Sequence, residues 1–400
     1  MTATQDVLII GGGPAGMMAG YLLARAGIPV KVIEKHADFF RDFRGDTVHP
    51  STMEILDQLG LLAQFLKRPH NRLTSARIRI ADRDWTIGDL SHLATPAPFI
   101  AMMPQWEFLD FLRDEAAKLP AFTLAMEEPV ADLIEKAGRV TGVRYASGRE
   151  ERAGRLVIAA DGRSSLVRSL GLLPVEVIGA PMDVLWFKLP KSDDGGDALR
   201  ASVAPGRMVV LIDRDEYWQA AFLIPKGAEA AVRARGLSWL RSETQKAFPD
   251  IRFDGEFLMK DEDVKMLAVT LDRLTSWSRP GLLAIGDAAH AMSPIGGIGI
   301  NLAIQDAVAA ANVLAWPLRR GEPVDGLLAK VQRRRLFPTR VIQAGQRAAQ
   351  DRIVGRVLGG GPVRVPAIVK LLDNYPLLRR IPGRIIGLGV RRERVSSPTA

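Results

Sequence analysis

The chain opens with the pattern of a buried strand, a tight turn and a helix. Residues 6–10 (DVLII) form a continuous apolar run that ends in GGGPAG, and MMAGYLLARAG follows. An apolar run bounded by glycines predicts a buried strand, and the small and apolar residues after it predict a helix that ends near Gly27. A second apolar run, residues 29–33 (PVKVI), ends at Glu34. Together these segments predict a β-α-β unit, the start of a doubly wound α/β fold.

The apolar pattern changes in the middle of the chain and later returns. Three apolar segments separated by polar turns predict a mostly antiparallel sheet: DVLWFKLP, RMVVLIDRD and YWQAAFLIP. Residues 281–287 (GLLAIGD) again predict a buried strand, and an alanine-rich helix is predicted over 299–318. We therefore expect an α/β protein with an inserted α+β sheet. The predicted units are a discontinuous domain over 1–75, 100–174 and 270–320, a sheet domain over 76–99 and 175–269, and a helical segment over 321–400.

Local signals predict further elements. Ser51 followed by Glu54 is typical of a capping box, which predicts a helix over 51–66 interrupted by Gly60. A helix is also predicted over 228–247. Residues 77–87 alternate between apolar and polar side chains, which predicts a strand with one face in water.

Composition narrows the classes of protein. The 400 residues include no cysteine, which excludes disulfides, thiolate metal sites, iron–sulfur clusters and a cysteine nucleophile. Five scattered histidines argue against a zinc enzyme, and no metal site is expected. The start of the chain lacks the charged region of a signal peptide, and no uncharged apolar run reaches the length of a membrane span. We therefore expect a cytoplasmic protein.

The net charge of +9 belongs to one end of the chain. Residues 318–400 contain 18 Lys and Arg against 5 Asp and Glu, whereas the preceding 317 residues contain 36 basic and 40 acidic groups. A basic segment of this kind suggests a nucleic-acid surface, a membrane surface or a solvated helical face.

The turn after the first strand has the spacing Gly11-x-Gly13-x-x-Gly16. The first glycine permits the tight turn, Gly13 allows a pyrophosphate to approach the backbone, and Gly16 allows close packing of helix and strand. Glu34 would bind a ribose diol and repel a 2′-phosphate, so FAD or NAD is expected here rather than NADP. The motif alone does not separate FAD from NAD, and a glycine-rich turn without a ligand is the alternative.

Two later motifs distinguish FAD from NAD as the expected cofactor. Residues 281–306 read GLLAIGDAAHAMSPIGGIGINLAIQD, and residues 156–168 read LVIAADGRSSLVR. With the N-terminal motif, over roughly residues 5–340, they resemble the FAD-dependent monooxygenases of the p-hydroxybenzoate hydroxylase family, the class A flavoprotein aromatic hydroxylases. The resemblance implies a Rossmann-like FAD-binding domain of the glutathione-reductase type, with FAD as the cofactor.

The resemblance also assigns cofactor-binding residues. Asp287 would bind the ribityl chain, and the segment 294–301 would wrap the isoalloxazine ring with backbone groups. Asp161 and Gly162 would touch the pyrophosphate region of FAD and the path of the nicotinamide cofactor. The complete predicted set is Gly11, Gly13, Pro14, Ala15, Gly16, Glu34, Lys35, Arg44, Gln105, Asp161, Gly162, Gly286, Asp287, Pro294, Gly297, Gly299, Ile300 and Asn301.

The residue types agree with these assignments. Glycines at 296, 297 and 299 remove side chains where a flat ring would lie, and the start of the following helix offers backbone N–H groups to negative charge on that ring. The alternatives stay open: a glycine-rich loop that enters a helix, a simple turn at Asp161 and a surface position for Arg44.

Three residues are candidates for catalysis. Pro294 would form the edge against which oxygen is transferred, and Arg44 matches the family arginine beside the flavin. His49, with Asp46, could relay a proton, although a surface position is the alternative for each. His290 is expected to pack beside FAD rather than to act as an acid or base.

The inserted sheet would cover the substrate pocket. Apolar side chains alternate along its predicted strands, so one face could line an apolar, aromatic cavity over the flavin, with core positions as the alternative. The predicted pocket residues are Trp186, Met208, Val210, Trp218, Ala220 and Phe222.

The predicted activity is NAD(P)H-dependent hydroxylation of an aromatic or polycyclic, quinone-type small molecule with O2, through a flavin C4a-hydroperoxide. The substrate arginine and tyrosines of p-hydroxybenzoate hydroxylase have no clear match here, which argues against a small benzoate. No second G-x-G-x-x-G occurs, so NADPH or NADH would bind only transiently. The alternatives are an isoprenoid reductase, a halogenase, which the absence of a second tryptophan in WQAAFLIP disfavours, or a flavin-bearing binding protein without turnover.

The predicted function changes the interpretation of the basic segment. Nucleic acid is not expected as a partner, because no aromatic residues alternate with the arginines and Tyr375 is the only aromatic beyond Phe337. Residues 366–392 mix apolar and cationic groups, so peripheral membrane contact is one interpretation. The favoured interpretation is a helical cap over the substrate side or a dimer side, in a monomer or homodimer.

Overall fold

The computed structural model describes residues 5–40, 47–80, 83–191, 198–253, 257–363 and 365–400. Arg44 and Asp46 lie outside the described residues, so the predictions for both stay untested.

The strands are β1 (Val7–Ile10), β2 (Val30–Ile33), β3 (Thr47–Val48), β4 (Asn71–Leu73), β5 (Ser75–Ile80), β6 (Arg83–Asp89), β7 (Ile100–Met102), β8 (Phe122–Ala125), β9 (Val130–Lys136), β10 (Arg139–Tyr145), β11 (Glu150–Arg152), β12 (Leu156–Ala159), β13 (Val175–Val177), β14 (Met182–Pro190), β15 (Leu199–Ala204), β16 (Arg207–Asp213), β17 (Tyr217–Pro225), β18 (Lys265–Leu267), β19 (Asp272–Leu274), β20 (Ser278–Arg279), β21 (Leu282–Ala284) and β22 (His290–Ala291).

The helices connect and cover these strands. They are α1 (Pro14–Arg25), α2 (Pro50–Gln58), α3 (Leu62–Phe65), α4 (Gln105–Ala116), α5 (Leu166–Ser169), α6 (Glu229–Arg233), α7 (Gly236–Ala247), α8 (Gly299–Arg319), α9 (Asp325–Ala349), α10 (Gly355–Leu358), α11 (Ala367–Asn374) and α12 (Arg380–Leu388). A π-helical turn, Gln350–Val354, joins α9 to α10.

A parallel sheet forms the centre of the discontinuous unit. Its order is β20-β21-β12-β1-β2-β8, and each pair from β21 to β8 is parallel. Every residue of β1 is buried because both faces of the sheet are covered. Val7 and Ile9 belong to the cluster with α1, α4 and α8, whereas Leu8 and Ile10 belong to the cluster with the β9–β11 meander and Trp277. The predicted α/β class is confirmed.

The second large sheet is mostly antiparallel, with the order β18-β14-β17-β16-β15-β5-β6. The three predicted apolar segments form β14, β16 and β17, and β5 joins through a parallel pairing with β15. One face packs on α7, and the other packs on Ile295 and on parts of the C-terminal segment. The exact domain boundaries stay predictions.

Three local predictions were wrong. The capping box predicted at Ser51 and Glu54 is absent, although the predicted interruption at Gly60 is confirmed, since Gly60 adopts a left-handed φ of +72° between α2 and α3. His49 rather than Ser51 precedes α2, and Glu54 binds the guanidinium of Arg392 at 2.8 Å instead of closing a capping box. The helix predicted over 228–247 is likewise split into α6 and α7, and residues 77–87 contribute to two strands, β5 and β6.

Helix α8 is the central helix of the cofactor unit and packs on α1. Within the described residues, the segment Ile295–Arg319 is long and apolar enough to cross a membrane by composition, but 78% of its most apolar window is buried inside the fold. That burial is typical of a core helix.

Candidate cofactor and substrate site

Three sequence motifs meet at one edge of the parallel sheet. The glycine turn follows β1, Asp161 follows β12, and Asp287 follows β21, and these three strands are adjacent and parallel. Because the carboxyl ends of parallel strands lie at the same edge, the motifs converge there although up to 276 residues separate them. This edge is the usual ligand-binding crevice of an open α/β sheet.

The glycines of the first turn have different roles. Gly11 has a φ of +103°, and a Cβ there would lie 2.6 Å from the carbonyl oxygen of Ala160. A Cβ on Gly16 would overlap the carbonyl oxygen of Gly11. In contrast, the nearest atom to a Cβ on Gly13 would be the Ala160 oxygen at 4.0 Å. The fold therefore requires Gly11 and Gly16, whereas Gly13 leaves open space before the N-terminus of α1.

That open space fits a pyrophosphate. Pro14 begins α1, and no side chain caps the helix, so the first-turn N–H groups that no helical carbonyl can reach are available to an anion. Glu34 is buried beside the turn, where its Oε2 accepts the N–H of Gly12 at 2.8 Å and its Oε1 accepts the N–H of His36 at 3.1 Å. The residues present therefore fit a dinucleotide cofactor.

Asp161 shapes the turn that follows β12. Its Oδ2 accepts the N–H of Leu166 at 2.8 Å, and its Oδ1 accepts the hydroxyl of Ser165. Burial raises the pKa of Asp161, although these hydrogen bonds and the charge of Lys35 act in the opposite direction. Gly162 has a φ of +85°, which explains a glycine at this turn. The observed contacts of Asp161 are thus structural, and its contact with FAD stays a prediction.

Two arginines that the sequence prediction missed join the Asp161 and Asp287 motifs. Arg163 donates to the Oδ2 of Asp287 at 3.3 Å. Arg168 donates to the carbonyl oxygens of Asp287 and Ala288 at 3.0 and 2.9 Å, and its other nitrogen binds Asp272 at 2.6 Å. The motif DGRSSLVR contains both arginines, so their five-residue spacing was the available signal.

The Gly286 backbone is held by a buried charge network that sequence reasoning also missed. Asp306 Oδ2 accepts the N–H of Gly286 at 3.1 Å and lies 2.5 Å from the Nε2 of His290. Asp306 Oδ1 accepts from the Nε of Arg335 at 2.9 Å, and Arg335 also donates to Glu393 at 3.2 Å. Burial alone would raise the pKa of Asp306, but the charges and hydrogen bonds of His290 and Arg335 outweigh it and lower that pKa.

Gly286 itself lies where two helices converge. A Cβ on Gly286 would lie 2.9 Å from the Cβ of Ala15 and 3.3 Å from the Cβ of Ala303, and its φ is +61°. These contacts bring the start of α1, with Ala15, against the start of the Asp287 turn. Both segments belong to the predicted FAD site, so α8 positions them together.

The 294–301 loop lies beside Asp287. A Cβ on Gly299 would be 4.0 Å from the Oδ1 of Asp287. Gly297 has a φ of +61°, and its carbonyl oxygen accepts the hydroxyl of Thr47 at 2.7 Å. The side chain of Asn301 is buried and structural: its Oδ1 accepts the N–H of His49 at 2.8 Å and the hydroxyl of Thr52 at 2.7 Å. Because the Asn301 side chain is occupied, the predicted contact with the flavin would come from the backbone of this loop.

The other predicted cofactor residues occupy the starts of helices. Ile300 is a buried residue in the first turn of α8, and Gln105 is the first residue of α4, which packs on α1. Pro294 directly precedes the short helical turn Ile295–Gly297. Their contacts with FAD stay predictions.

His49 is buried, so the alternative of a surface position is wrong for this residue. Burial lowers the pKa of His49 to about 4, and a hydrogen bond with the Ile386 carbonyl only partly opposes this change. The ring is therefore neutral at pH 7, and its Nδ1 donates to that carbonyl at 2.8 Å. The proposed relay partner, Asp46, lies outside the described residues. The observed role of His49 is to tie α2 to α12 and to Asn301.

The six predicted pocket residues do not share one face of the sheet, so that prediction is wrong. Trp186, Met208 and Val210 lie on the face whose cluster includes Ile295, next to Pro294. The other three pack on α7 in a separate cluster: Trp218, Ala220 and Phe222. On β17 the side chains that face Ile295 are Ala221 and Leu223, which pair with Trp186, Val210 and Met208.

This error has a physical reason. Both faces of the β14–β16–β17 region are buried, so apolar residues occupy most positions on both faces and the alternation cannot show which face is which. A one-residue difference in register reverses every side chain. The pattern predicted the strand correctly but did not show which of its two faces lies toward the 294–301 segment.

The glycine turn, the acid at the end of β2 and the Asp287 edge together form a crevice that suits a dinucleotide cofactor. The chain belongs to the FAD binding domain family, whose sequence profile matches residues 4–345, and it is an FAD-dependent monooxygenase. The family and its monooxygenases imply FAD as the cofactor, a reduced nicotinamide as the reductant and O2 as the co-substrate.

Two curated relatives illustrate this membership, and one solved structure shows the same fold. The 6-methylpretetramide 4-monooxygenase of Streptomyces rimosus is 34% identical over 393 residues, which cover 96% of this chain and 92% of the relative. The protoasukamycin 4-monooxygenase of Streptomyces nodosus subsp. asukaensis is 26% identical and covers 80% of this chain and 81% of its own. The p-nitrophenol 4-monooxygenase PnpA of Pseudomonas putida shares the fold, with a TM-score of 0.80 at 21% identity over 98% of this chain and 99% of the other.

Proposed function

We propose that this monooxygenase hydroxylates an aromatic ring of a polycyclic, quinone-type small molecule, with NADPH or NADH as a reductant that binds and leaves. The observation that carries this proposal is the face of the inserted sheet formed by Trp186, Val210 and Ala221, which packs toward Ile295 beside Pro294. Apolar and aromatic side chains opposite the predicted flavin edge suit a flat, apolar substrate. The similarity to the 6-methylpretetramide 4-monooxygenase supports the same substrate class.

The residues of the chain would bind, orient and shield the reactants. FAD, when bound, supplies electron transfer from the nicotinamide and the activation of O2. The turn at Gly13 and the N-terminus of α1 would hold its pyrophosphate, and the 294–301 backbone would face its ring. Trp186 and its neighbours would position the substrate ring and exclude water. We propose the cytoplasm as the compartment, because reduced nicotinamides are available there.

The proposal predicts substrate-stimulated oxidation of NADPH or NADH coupled to oxygen uptake. Phenols, polyketides and quinone precursors would be screened with the FAD-loaded enzyme, with the product mass checked for the gain of one oxygen atom. An isoprenoid reductase would oxidise NADPH without oxygen uptake, a halogenase would add a halogen, and a binding protein would consume no NADPH. Any of these three outcomes would contradict the proposed reaction.

Two neighbouring aromatic residues on β14 provide a matched control for that screen. Trp186→Leu should raise the KM for an active substrate by on the order of tenfold, because its side chain faces the proposed pocket. Phe187→Leu should lower thermal stability but leave KM unchanged, because Phe187 packs on the opposite face with α7. Equal effects of both substitutions on KM would argue against this placement of the pocket.

We also propose that the C-terminal helices contact an anionic membrane surface. Six large apolar side chains of this region are exposed although the inner faces of the helices pack on the fold: Ile368, Leu371, Tyr375, Leu377, Ile381 and Ile385. The exposed cations Lys370, Arg380 and Arg384 lie among them. The only acid between residues 366 and 392, Asp373, is paired with Arg83 at 3.0 Å.

The charges favour lipid over a second copy of this chain. A symmetric dimer through this surface would place each cation near identical cations, which is unfavourable. Apolar side chains between cations are instead typical of helices that lie in the interface of an anionic bilayer. Such contact would give the enzyme access to a lipophilic substrate.

Vesicle sedimentation tests this contact. The protein should sediment with phosphatidylglycerol-containing vesicles at low salt, less at high salt, and not with phosphatidylcholine alone. Leu377→Gln combined with Ile381→Gln should reduce binding by on the order of tenfold, because both side chains are among the most exposed apolar groups. No binding to anionic vesicles at low salt would end this proposal, and dimerisation that the same variant abolishes would favour the dimer instead.

A further inference from the structure

Helix α9 and the π-helical turn that follows it bear glutamines at positions 343, 346 and 350, spaced three and four residues apart. This spacing places the three side chains in a row on one face of the helix. We call the row the glutamine ladder. It runs along the segment 291–295, which leads to the predicted flavin edge at Pro294.

The amides of the first two members of the ladder are hydrogen-bonded, and each contacts that segment. Gln343 donates to the carbonyl oxygens of Asp272 and Ala291, at 2.8 and 3.3 Å. Gln346 donates to the carbonyl oxygens of Ser293 and Ile295, both at 3.0 Å, and accepts the N–H of Ser293 at 3.2 Å. The ladder therefore follows the loop in order, and Gln346 holds the residues on both sides of Pro294.

Gln350 is the next member, and its amide is unpaired. Its side chain is fully buried, and within the described part of the chain neither its Oε1 nor its Nε2 has a hydrogen-bond partner. One turn further along, Val354 belongs to the cluster that contains Trp186 and Ala221 and packs on Ile295. Along the chain, Gln350 therefore follows the glutamine that holds the Pro294 loop and precedes the valine that packs on the apolar face of the inserted sheet.

The backbone at this point is also unusual. Gln350 begins the π-helical turn Gln350–Val354, the one such turn among the residues that the structure describes. Such turns are rare in proteins, but those that occur often lie at functional sites, because the extra residue redirects side chains. A buried amide with both of its polar atoms unpaired costs free energy, so a role in ligand binding accounts for its presence.

We propose that Gln350 is a substrate-binding residue that sets specificity, and this rests on the proposed function. Its Nε2 would donate to a carbonyl oxygen of the substrate, and its Oε1 would accept from an adjacent hydroxyl. An amide offers this donor and acceptor side by side, so it matches a neighbouring carbonyl–hydroxyl pair on a planar polycyclic ring. Gln350 would thereby orient the ring between the Trp186 face and the Pro294 loop.

The test compares two probes that differ only in hydroxyl groups. 1,8-Dihydroxyanthraquinone and 9,10-anthraquinone would be titrated into the FAD-loaded enzyme, with binding followed by quenching of protein fluorescence. The wild type should prefer the dihydroxy probe, and Gln350→Met should reduce that preference by on the order of tenfold. Thermal stability of Gln350→Met without probe should rise, because the variant removes an unpaired buried amide.

The matched control is Gln346→Met on the same face of α9. This variant should lower thermal stability, because it leaves the N–H and carbonyl of Ser293 and the carbonyl of Ile295 without their partner. The opposite signs of the two stability changes separate an unpaired amide from a paired one. A loss of stability in Gln350→Met would overturn the proposal, because it would show that the amide already has a partner in the free protein.

The remaining outcomes are also decisive. The role of Gln350 would be overturned by an unchanged probe preference in Gln350→Met, or by the absence of binding of either probe to the wild type. Neither result would affect the proposed hydroxylation, which the oxygen-uptake screen tests separately. Probe binding that depends on Gln350, together with no oxygen uptake for any substrate, would support the role of Gln350 and refute the proposed hydroxylation.

Discussion

Gly13→Ala is expected to abolish FAD binding and to leave the fold of the free protein intact. The backbone at Gly13 has a φ of −72°, which alanine adopts without strain, and the nearest atom to its methyl group would be 4.0 Å away. That methyl group would occupy the space into which a pyrophosphate must move to reach the N–H groups of α1. We expect a loss of affinity of at least about 100-fold, or roughly 3 kcal/mol.

Isothermal titration with FAD and thermal melts without FAD would measure the two effects separately. Gly326→Ala is the matched control, because Gly326 in α9 also has open space around its Cβ position but lies outside the glycine turn. It should bind FAD normally and melt at the same or a slightly higher temperature. A Gly13→Ala variant with the FAD affinity of the wild type would show that the pyrophosphate does not approach this turn.

The second large effect is expected at Arg335. Arg335→Met should destabilise the fold by about 3–5 kcal/mol, because it leaves the buried carboxylates of Asp306 and Glu393 without their shared cation. The same substitution should weaken FAD binding, because Asp306 also holds the N–H of Gly286. Denaturant melts of the apo and FAD-loaded protein would give both values.

The neighbouring arginine is the control for that variant. Arg334 also binds Glu393, at 2.7 Å, but about a third of its side chain is exposed. Arg334→Met should therefore cost no more than about 1 kcal/mol and leave FAD affinity unchanged. Equal losses of stability and of FAD affinity in Arg335→Met and Arg334→Met would show that the buried network does not hold the Gly286 turn.

The sequence predicted those parts of the fold and site that local patterns encode. The turn at Gly11, the helix from Gly299 and the strand before Gly286 each have a short signal, because buried strands and glycine turns require particular residue types. The face of β17 could not be predicted, since both of its faces are apolar. The burial of His49 depends on its contact with Ile386, and no local signal shows contacts so distant in sequence.

The charge network shows a second limit of sequence reasoning. Arg335 and Glu393 belong to a segment whose composition indicated a solvated basic face, yet both side chains are buried. Composition reports the average property of a segment, whereas burial is decided residue by residue through packing. The two arginines of DGRSSLVR, in contrast, lie within a motif that the sequence shows, so a local signal exists for both.

The order of strands in the parallel sheet determines when the cofactor unit can fold during synthesis. β12 pairs with β1 on one side and with β21 on the other, and β21 follows β12 by more than 120 residues. While the ribosome translates the inserted sheet, the outer edge of β12 has no partner strand, and an unpaired apolar edge promotes aggregation. The Gly13 turn therefore exists long before the edge that receives the cofactor is complete, so FAD capture must wait until β21 and Asp287 have been translated.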